Sequence, residues 1–164
     1  MTLMEMMVSV GIATMFVAGV IILTNITLAQ GIFAIGNYND LNAKSRQCLD
    51  YLSRDVRGAT QITAYSTSSF TATNKDGTTF SYTWDGSNQV TRTYAGASSM
   101  VLTNCDYLSF TVYQRNPTNN FNFYSTTNLV LAKLIDVSWR CSRTYLGAKL
   151  NTESVQTARI VIRN

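Results

Sequence analysis

The chain has 164 residues, of which 13 are Lys or Arg and 9 are Asp or Glu, so its formal net charge is +4. Hydrophobic residues make up 46% and charged residues 13%, which is about half the charged share of an ordinary soluble domain. The length suits one domain with its own core. The sequence contains no His, which excludes Ser-His-Asp triads, Cys-His proteases and most zinc sites, so we do not expect an enzyme.

Hydrophobic residues are concentrated near the N-terminus. No charged residue occurs between Met6 and Asn39, and residues 6–23 are almost entirely apolar. About 20 apolar residues in a helix are enough to cross the hydrocarbon core of a bilayer. A secretory signal peptide would begin with a basic region, yet no Lys or Arg precedes Lys44. The pattern therefore predicts a membrane-spanning helix.

Glu5 is the single charged side chain in the first 39 residues. A carboxylate at the centre of a bilayer costs about 2.5–3.5 kcal/mol, so we expect Glu5 to have a cationic partner. One candidate is the α-amine of Met1 in the same chain, and the other is the α-amine of a neighbouring chain. Pairing between chains would fix the axial offset of the two helices, because any other register leaves a charge in hydrocarbon.

After Gly36 the pattern becomes that of an amphipathic helix. Apolar and small residues recur at spacings of three and four, which predicts one buried stripe. The stripe consists of Leu41, Ser45, Cys48, Leu52, Val56 and Ala59. We predict one helix over residues 2–59, roughly 87 Å long at 1.5 Å per residue. Within the N-terminal region 1–59, residues 1–28 would lie in a membrane or a filament core, and residues 36–59 would pack on a globular head.

Residues 60–164 are predicted to form that head from β-strands. Several runs of β-forming residues alternate with period two. They span residues 61–65, 69–73, 78–84, 89–94, 100–102, 107–115, 129–140 and 154–163. Hairpin turns are predicted at 74–77 and 85–88. The fold class is therefore α+β, with a long N-terminal helix packed on one face of an antiparallel meander.

The 3 Cys residues are an odd number, and an exported protein usually pairs its cysteines. If strands 107–115 and 129–140 are antiparallel neighbours, Cys105 and Cys141 face each other at matching ends. A disulfide there would close about 36 residues and stabilise the fold by roughly 3–4 kcal/mol. Cys48 would then remain a free thiol on the buried helix stripe. The alternative is that all three are reduced and buried.

Other charged residues of the head are candidates for binding sites. Asp76 and Asp85 are predicted to be turn residues, because neither loop has the alternating carboxylates of a calcium site; we expect no metal and no cofactor. Several cations offer a basic surface that DNA would bind. They are Arg92, Arg115, Lys133, Arg140, Arg143 and Lys149. Their spread over separate strands and loops favours an ordinary solvated surface over a DNA-binding face.

The loop 116–128 places three aromatic residues among Asn, Ser and Thr residues. They are Phe121, Phe123 and Tyr124. Exposed aromatic side chains in a polar loop serve as interface anchors, and the first candidate contact is then a neighbouring subunit. The alternative is that they fold back over the sheet as a local core.

The N-terminal residues also resemble a known family. Type IV pilins and type II secretion pseudopilins have mature N-termini similar to the run Met1-Thr2-Leu3-Met4-Glu5-Met6-Met7-Val8-Ser9-Val10-Gly11-Ile12. The resemblance implies that a prepilin peptidase exposes Met1, which is then N-methylated. It implies that Thr2 and Leu3 complete the motif and that Glu5 guides assembly. The helix-breaking Pro common near position 22 in the family is absent here.

The resemblance implies a subunit that polymerises with many copies of itself through its N-terminal helix. It starts in the inner membrane and ends in an extracellular pilus, with an assembly ATPase and platform as partners. Small residues let neighbouring helices approach closely. The helix residues expected to pack in the filament core are Val8, Gly11, Ile12, Met15, Phe16, Gly19, Ile22 and Leu23.

A weaker resemblance concerns the β half. Arg92 after a Trp-Asp-Gly hairpin, then residues 108–113 and a closing run 158–164, are ordered as in the J-type minor pseudopilins. This ordering leaves a minor pseudopilin of a periplasmic pseudopilus as the alternative within the family. A single-pass, membrane-anchored binding module is the alternative outside it.

Overall fold

A computed structural model describes residues 2–116, 122–144 and 153–162. Within these ranges the chain forms one long N-terminal helix, α1 (Leu3–Gly58), followed by nine β-strands. All strand pairs are antiparallel. The predicted α+β class with a long N-terminal helix is confirmed.

Helix α1 is continuous over its 56 residues, a length of about 84 Å. Its predicted limits are confirmed to within one residue, and Ala59 closes it by donating its backbone N–H to the carbonyl of Val56. The predicted stripe is buried in the C-terminal half, and Leu41 and Leu52 are each 1% exposed. This half of α1 therefore belongs to the core of the head.

The first five strands form one sheet in chain order. They are β1 (Ala59–Tyr65), β2 (Ser69–Asn74), β3 (Thr79–Trp84), β4 (Val90–Tyr94) and β5 (Ala97–Leu102). Both predicted hairpin turns are confirmed. In the second, the Asp85 carboxylate accepts three backbone N–H bonds at 2.8–3.0 Å, and Gly86 takes a φ of 87°. These hydrogen bonds hold the pKa of Asp85 below its usual value.

The remaining strands form a second sheet in the order β7-β6-β8-β9. They are β6 (Cys105–Arg115), β7 (Phe123–Ser125), β8 (Ala132–Ser142) and β9 (Glu153–Val161). The prediction of a single meander is therefore wrong. Asn104, with a φ of 57°, lies in the short link where the chain turns from the first sheet into the second. The prediction also missed β7, and residues 129–131 form a 3-10 turn before β8.

The core lies between the two sheets and α1. Phe70 of β2 contacts Phe80 in its own sheet and Phe110 in the other, with ring centroids 6.0 and 5.9 Å apart. Trp139 of β8 is 1% exposed and donates its indole N–H to the Ser45 hydroxyl of α1 at 3.3 Å. The Ser154 hydroxyl of β9 donates to the same Ser45 oxygen at 3.4 Å. Aromatic packing thus joins the sheets, and buried hydrogen bonds to Ser45 tie the second sheet to the helix.

A buried ion pair ties the first sheet to the same helix. Arg92 of β4 donates to both carboxylate oxygens of Asp55 of α1, at 2.7 and 3.0 Å. The Tyr82 hydroxyl donates to the same carboxylate at 2.7 Å. The Arg92 guanidinium also lies over the rings of Tyr94 and Tyr51, at 4.5 and 5.4 Å from their centroids. We call these five residues the helix–sheet clamp.

Within the clamp, the Asp55 carboxylate and the Arg92 guanidinium neutralise each other. Asp55 is 4% exposed, so its negative charge is compatible with burial only because Arg92 and Tyr82 satisfy it. Burial and the neighbouring carboxylate raise the pKa of Tyr82. The hydroxyl therefore stays protonated and donates its hydrogen bond. The clamp fixes the rotation of α1 against β3 and β4, since the bidentate geometry tolerates little displacement.

We expect Asp55→Ala to lower the free energy of unfolding by about 3–5 kcal/mol, because it leaves the Arg92 guanidinium without its carboxylate. Urea unfolding of the full chain in detergent measures this loss. The matched control is Asp50→Ala, an exposed carboxylate on the same helix, which should change stability by less than about 0.5 kcal/mol.

The double variant Asp55→Leu with Arg92→Leu separates the pair from the two single residues. It should lose less stability than the sum of the single variants, because neither charge is then left unpaired. Strictly additive losses would contradict the clamp.

Candidate functional site

The candidate site is the N-terminal half of α1, residues 3–35, which we call the stem. Its side chains are apolar on every side of the helix and lie outside the core: Met15 is 80% exposed and Phe16 is 74% exposed. An 18-residue window of α1 has a mean hydropathy of 2.4, and none of that window is buried. By length and composition the helix can cross a membrane, which is compatible with an anchor or a signal sequence.

All eight residues predicted to pack in a filament core lie on the stem. Shallow apolar grooves run along it where small residues leave space, and Gly11 and Gly19 have no neighbouring atom within 4 Å of an added Cβ. One groove is lined by Met15, Phe16, Gly19, Val20 and Leu23, and another by Val10, Ala13, Thr14, Val17, Ala18 and Ile21. Grooves of this kind admit the side chains of a second helix.

The four hydroxyl side chains of the stem bond to their own helix. Ser9 and Thr14 donate to the carbonyls of Met6 and Gly11, both at 2.9 Å. Thr24 and Thr27 do the same one turn back, at 2.8 and 2.9 Å. The free-energy cost of placing these hydroxyls in an apolar environment is therefore small, because their O–H groups already donate to backbone carbonyls.

Glu5 and Thr2 form a capping box at the start of α1. The backbone N–H of Thr2 donates to Glu5 Oε2 at 3.1 Å, and the N–H of Glu5 donates to the Thr2 hydroxyl at 3.4 Å. A carboxylate here also interacts favourably with the positive end of the helix dipole. The role of Thr2 as N-cap was not predicted, although Thr followed three residues later by Glu is a known signature of helix starts.

The predicted partner of Glu5 was an α-amine. Met1 lies outside the described residues, and the predicted pairing within the chain therefore lies outside them too. Within the described ranges, Glu5 Oε2 accepts from Thr2 and no hydrogen bond to Oε1 occurs. The carboxylate therefore keeps acceptor capacity for a second donor.

The three cysteines lie where the sequence predicted them. Cys105 and Cys141 are direct partners in the β6–β8 pair, as the antiparallel arrangement predicted. Cys48 is buried on the helix stripe, also as predicted. In this structure all three are free thiols and belong to one core cluster.

The aromatic loop residues are exposed. Phe123 and Tyr124 lie on β7, which pairs with the end of β6, and they are 42% and 43% exposed. The prediction that they fold back as a buried local core is therefore wrong for these two residues. Phe121 lies outside the described residues. The two exposed rings keep the alternative prediction of an interface open.

The predicted basic surface is largely neutralised. Arg92 is wrong as a surface cation, because its side chain is 14% exposed and binds Asp55. Arg140 pairs with Asp106 and Arg143 pairs with Asp40. Arg115 and Lys133 also have interaction partners, and Lys149 lies outside the described residues. These cations do not provide a continuous free positive face.

The acidic residues of the head act as turn and pairing groups. Asp76 accepts the backbone N–H of Thr78 at 2.9 Å, which confirms its role as a turn residue. Among residues 2–116, 122–144 and 153–162, no three His, Cys, Asp or Glu side chains are placed to hold a metal ion.

Sequence reasoning missed the helix–sheet clamp. Asp55 lies between Leu52 and Val56 on the buried stripe. Arg92 lies two residues after the buried Val90, and therefore on the same face of β4. A charged residue on each of two buried faces was the signal for an internal ion pair.

The chain was compared with known protein families, curated proteins and solved structures, and nothing matches it.

We expect removal of residues 1–28 to leave the head folded, because these side chains contribute nothing to its core. The free energy of unfolding should change by less than about 0.5 kcal/mol. The shortened chain should elute as a monomer without detergent in size-exclusion chromatography. Leu41→Ala in the same chain is the positive control and should cost about 2–5 kcal/mol. A shortened chain that unfolds would contradict the separation of stem and core.

Proposed function

We propose that this chain is the structural subunit of a type IV pilus-like filament and polymerises through its stem. The observation that carries the proposal is a continuous helix whose first half is apolar on every side and lies outside the core of its own head. The N-terminal run that resembles pilins and pseudopilins lies at the tip of this helix. A helix that is apolar on every side needs lipid or other helices around it, because exposing so much apolar surface to water is unfavourable.

Packing between stems supplies the cohesion of the filament. Lipid tails are as apolar as Leu, so helix association depends on close fit rather than on removal from water. The grooves beside Ala18 and Gly19 allow such a fit. The stems therefore pass from lipid into a shared helical core with little change in polarity, while the heads remain outside.

Glu5 sets the register between neighbouring stems. Its carboxylate is the sole charge of the stem and already accepts one bond from Thr2. The α-amine of a neighbouring chain would supply the missing positive charge. Because a charge without a partner costs about 2.5–3.5 kcal/mol in hydrocarbon, one axial offset is favoured over all others.

The subunit has different partners and locations before and after assembly. The stem holds the subunit in the inner membrane, a prepilin peptidase exposes Met1, and a platform with an ATPase drives extraction into an extracellular filament. The sequence contains no G-x-x-x-x-G-K-[ST] motif, so this chain does not itself carry the nucleotide-binding loop of an assembly ATPase.

Glu5→Ala is expected to leave export, membrane insertion and head stability unchanged but to reduce the yield of filaments at least about tenfold, the factor that corresponds to 1.4 kcal/mol. The measurement is the amount of sheared surface filament per cell, with the membrane-bound subunit quantified in parallel. Normal filament yield would contradict the assembly role of Glu5.

Glu5→Gln separates the charge from the helix cap. Gln is also suitable at this capping position but carries no charge. Filament loss in both variants supports charge pairing between chains, whereas rescue by Gln would show that capping alone is needed. Glu153→Gln, an exposed acid on β9, is the matched control and should assemble normally.

Mass spectrometry of native filaments tests the processing step. We expect Met1 as the terminal residue with a single methyl group on its amine. An unmodified, formylated or N-terminally extended chain would contradict the proposed processing.

Electron microscopy of sheared surface material distinguishes the proposed pilus from its alternatives. Long fibres composed of this chain support the pilus. Fibres confined to the periplasm would indicate a secretion pseudopilin, and a dispersed monomer in the membrane would indicate an anchored binding module.

A further inference from the structure

The stem carries two amide side chains, Asn25 and Gln30, in otherwise apolar surroundings. The hydroxyls of the stem donate to their own helix, but in the part of the chain that the structure describes neither amide takes part in a hydrogen bond. Apolar residues continue beyond them, and Ile32 and Ile35 are 69% and 64% exposed. A buried amide without a hydrogen-bonding partner costs free energy, so both amides need partners from outside the subunit once the stem is covered.

A bilayer can cover only part of the stem. The run from Met6 to Ile35 is about 45 Å long at 1.5 Å per residue, whereas the hydrocarbon core of a bilayer is about 30 Å thick. Covering the whole run with lipid would require a tilt of about 48°, and spanning helices tilt by up to about 40°. Asn25 lies about 30 Å along the helix from Glu5, so these two groups reach opposite headgroup regions. Residues 26–35, which we call the head-proximal segment, then extend beyond the lipid and need other stems to cover them.

Glu5 and Gln30 lie on one face of the stem, and Asn25 lies on another. Glu5 and Gln30 are separated by about seven turns at 3.6 residues per turn, so their directions differ by about 20°. The direction of Asn25 differs from both by about 140–160°. Two stems that bring these groups together therefore meet through different faces, and contacts of this kind build an open helical polymer when they do not close into a ring.

One axial offset between stems serves both ends of this face. Pairing of Glu5 with the α-amine of the next chain places the stems about four residues, or about 6 Å, out of step. A hydrogen bond between Gln30 of one stem and Asn25 of the next requires an offset of about five residues, or about 7.5 Å, in the same direction. The difference of about 1.5 Å is small enough for a flexible Gln side chain to absorb.

We propose that Gln30 of one stem and Asn25 of the next form an interchain hydrogen bond that fixes the register of the head-proximal segment. The inference rests on the proposed function for its parallel stems and deepens it by naming a second specific contact. Each side-chain amide both donates and accepts, so the pair can exchange two hydrogen bonds. In the single subunit Asn25 is hydrated at the headgroup boundary, and the bond therefore replaces water when stems come together.

Chemical cross-linking of the full chain in cells tests the contact. The double variant Asn25→Cys with Gln30→Cys is treated with a short thiol-reactive bismaleimide, and membranes and sheared filaments are analysed on denaturing gels. Each subunit then reaches two neighbours through two different positions, so we expect a ladder of linked chains. Either single variant should give no ladder, because equivalent positions on adjacent stems are about 7.5 Å apart along the axis. The unaltered chain controls for its three buried thiols.

Substitutions that remove or keep the amides test the hydrogen bond itself. Asn25→Leu leaves Gln30 of the next stem without a partner and should reduce filament yield about three- to thirtyfold, which corresponds to about 0.6–2 kcal/mol for an interhelical hydrogen bond. The exchanged pair, Asn25→Gln with Gln30→Asn, keeps both amides and should recover most of the yield. Thr27→Val is the matched control and should assemble normally, because the Thr27 hydroxyl bonds to its own helix. The membrane-bound subunit is quantified in parallel.

The outcomes separate this inference from the proposed function. Filaments that form without the ladder, or with full yield in Asn25→Leu, overturn the hydrogen bond and leave the pilus in place. A ladder as strong in a single variant shows that the stems lie level, which also overturns it. A ladder in the membranes of cells that make no filaments supports the contact between stems and contradicts the pilus. Cells with neither ladder nor filaments contradict both.

Discussion

The side chains of the first half of α1 lie outside the core of its own head, and this constraint governs the rest of the molecule. The helix has no break, so the direction of the stem is set entirely by how residues 36–58 dock on the two sheets. The buried stripe supplies most of that docking energy through apolar burial. The Asp55–Arg92 pair fixes the orientation of the helix about its own axis, because a bidentate ion pair in the core is compatible with a single orientation. A head that held α1 loosely could not present its stem in a constant orientation.

An apolar stem can enter lipid or a bundle of identical stems, and the two environments are almost equally apolar. Burial of hydrophobic area therefore cannot decide between them. What remains are the shape of the stem surface, its one charge and the amide side chains of Asn25 and Gln30. The hydroxyls of Ser9, Thr14, Thr24 and Thr27 do not contribute, because each is already bonded to a carbonyl of its own helix. In the proposed filament, the grooves around Gly19 and the carboxylate of Glu5 are two features that would distinguish one arrangement of stems from another.

Most of the stem and some of the head could be predicted from the sequence, because these features depend on residues that lie close together along the chain. Helix periodicity is a local signal, and so is the hairpin at Asp85, where a side chain binds the next few backbone amides. The facing of Cys105 and Cys141 followed from two long neighbouring strands. The split into two sheets did not, because it depends on contacts such as Phe70 with Phe110 that join residues far apart. The clamp residues were predicted only as members of a helix, of two strands and of a surface, since pairing across 37 residues leaves no periodic signal.

In the proposed filament, the position of Glu5 at the very start of α1 would reconcile a stable single subunit with a specific polymer. At a helix N-terminus a carboxylate gains about 0.3–1 kcal/mol from the helix dipole, and the bond from Thr2 satisfies one of its oxygens. These gains are smaller than the cost of about 2.5–3.5 kcal/mol for an unpaired charge in hydrocarbon. A residual penalty therefore persists in the single subunit, and in the proposed filament a neighbouring cation would remove it. Because every 1.4 kcal/mol corresponds to a factor of ten, even a residual penalty of that size is enough to select one register between otherwise equivalent apolar helices.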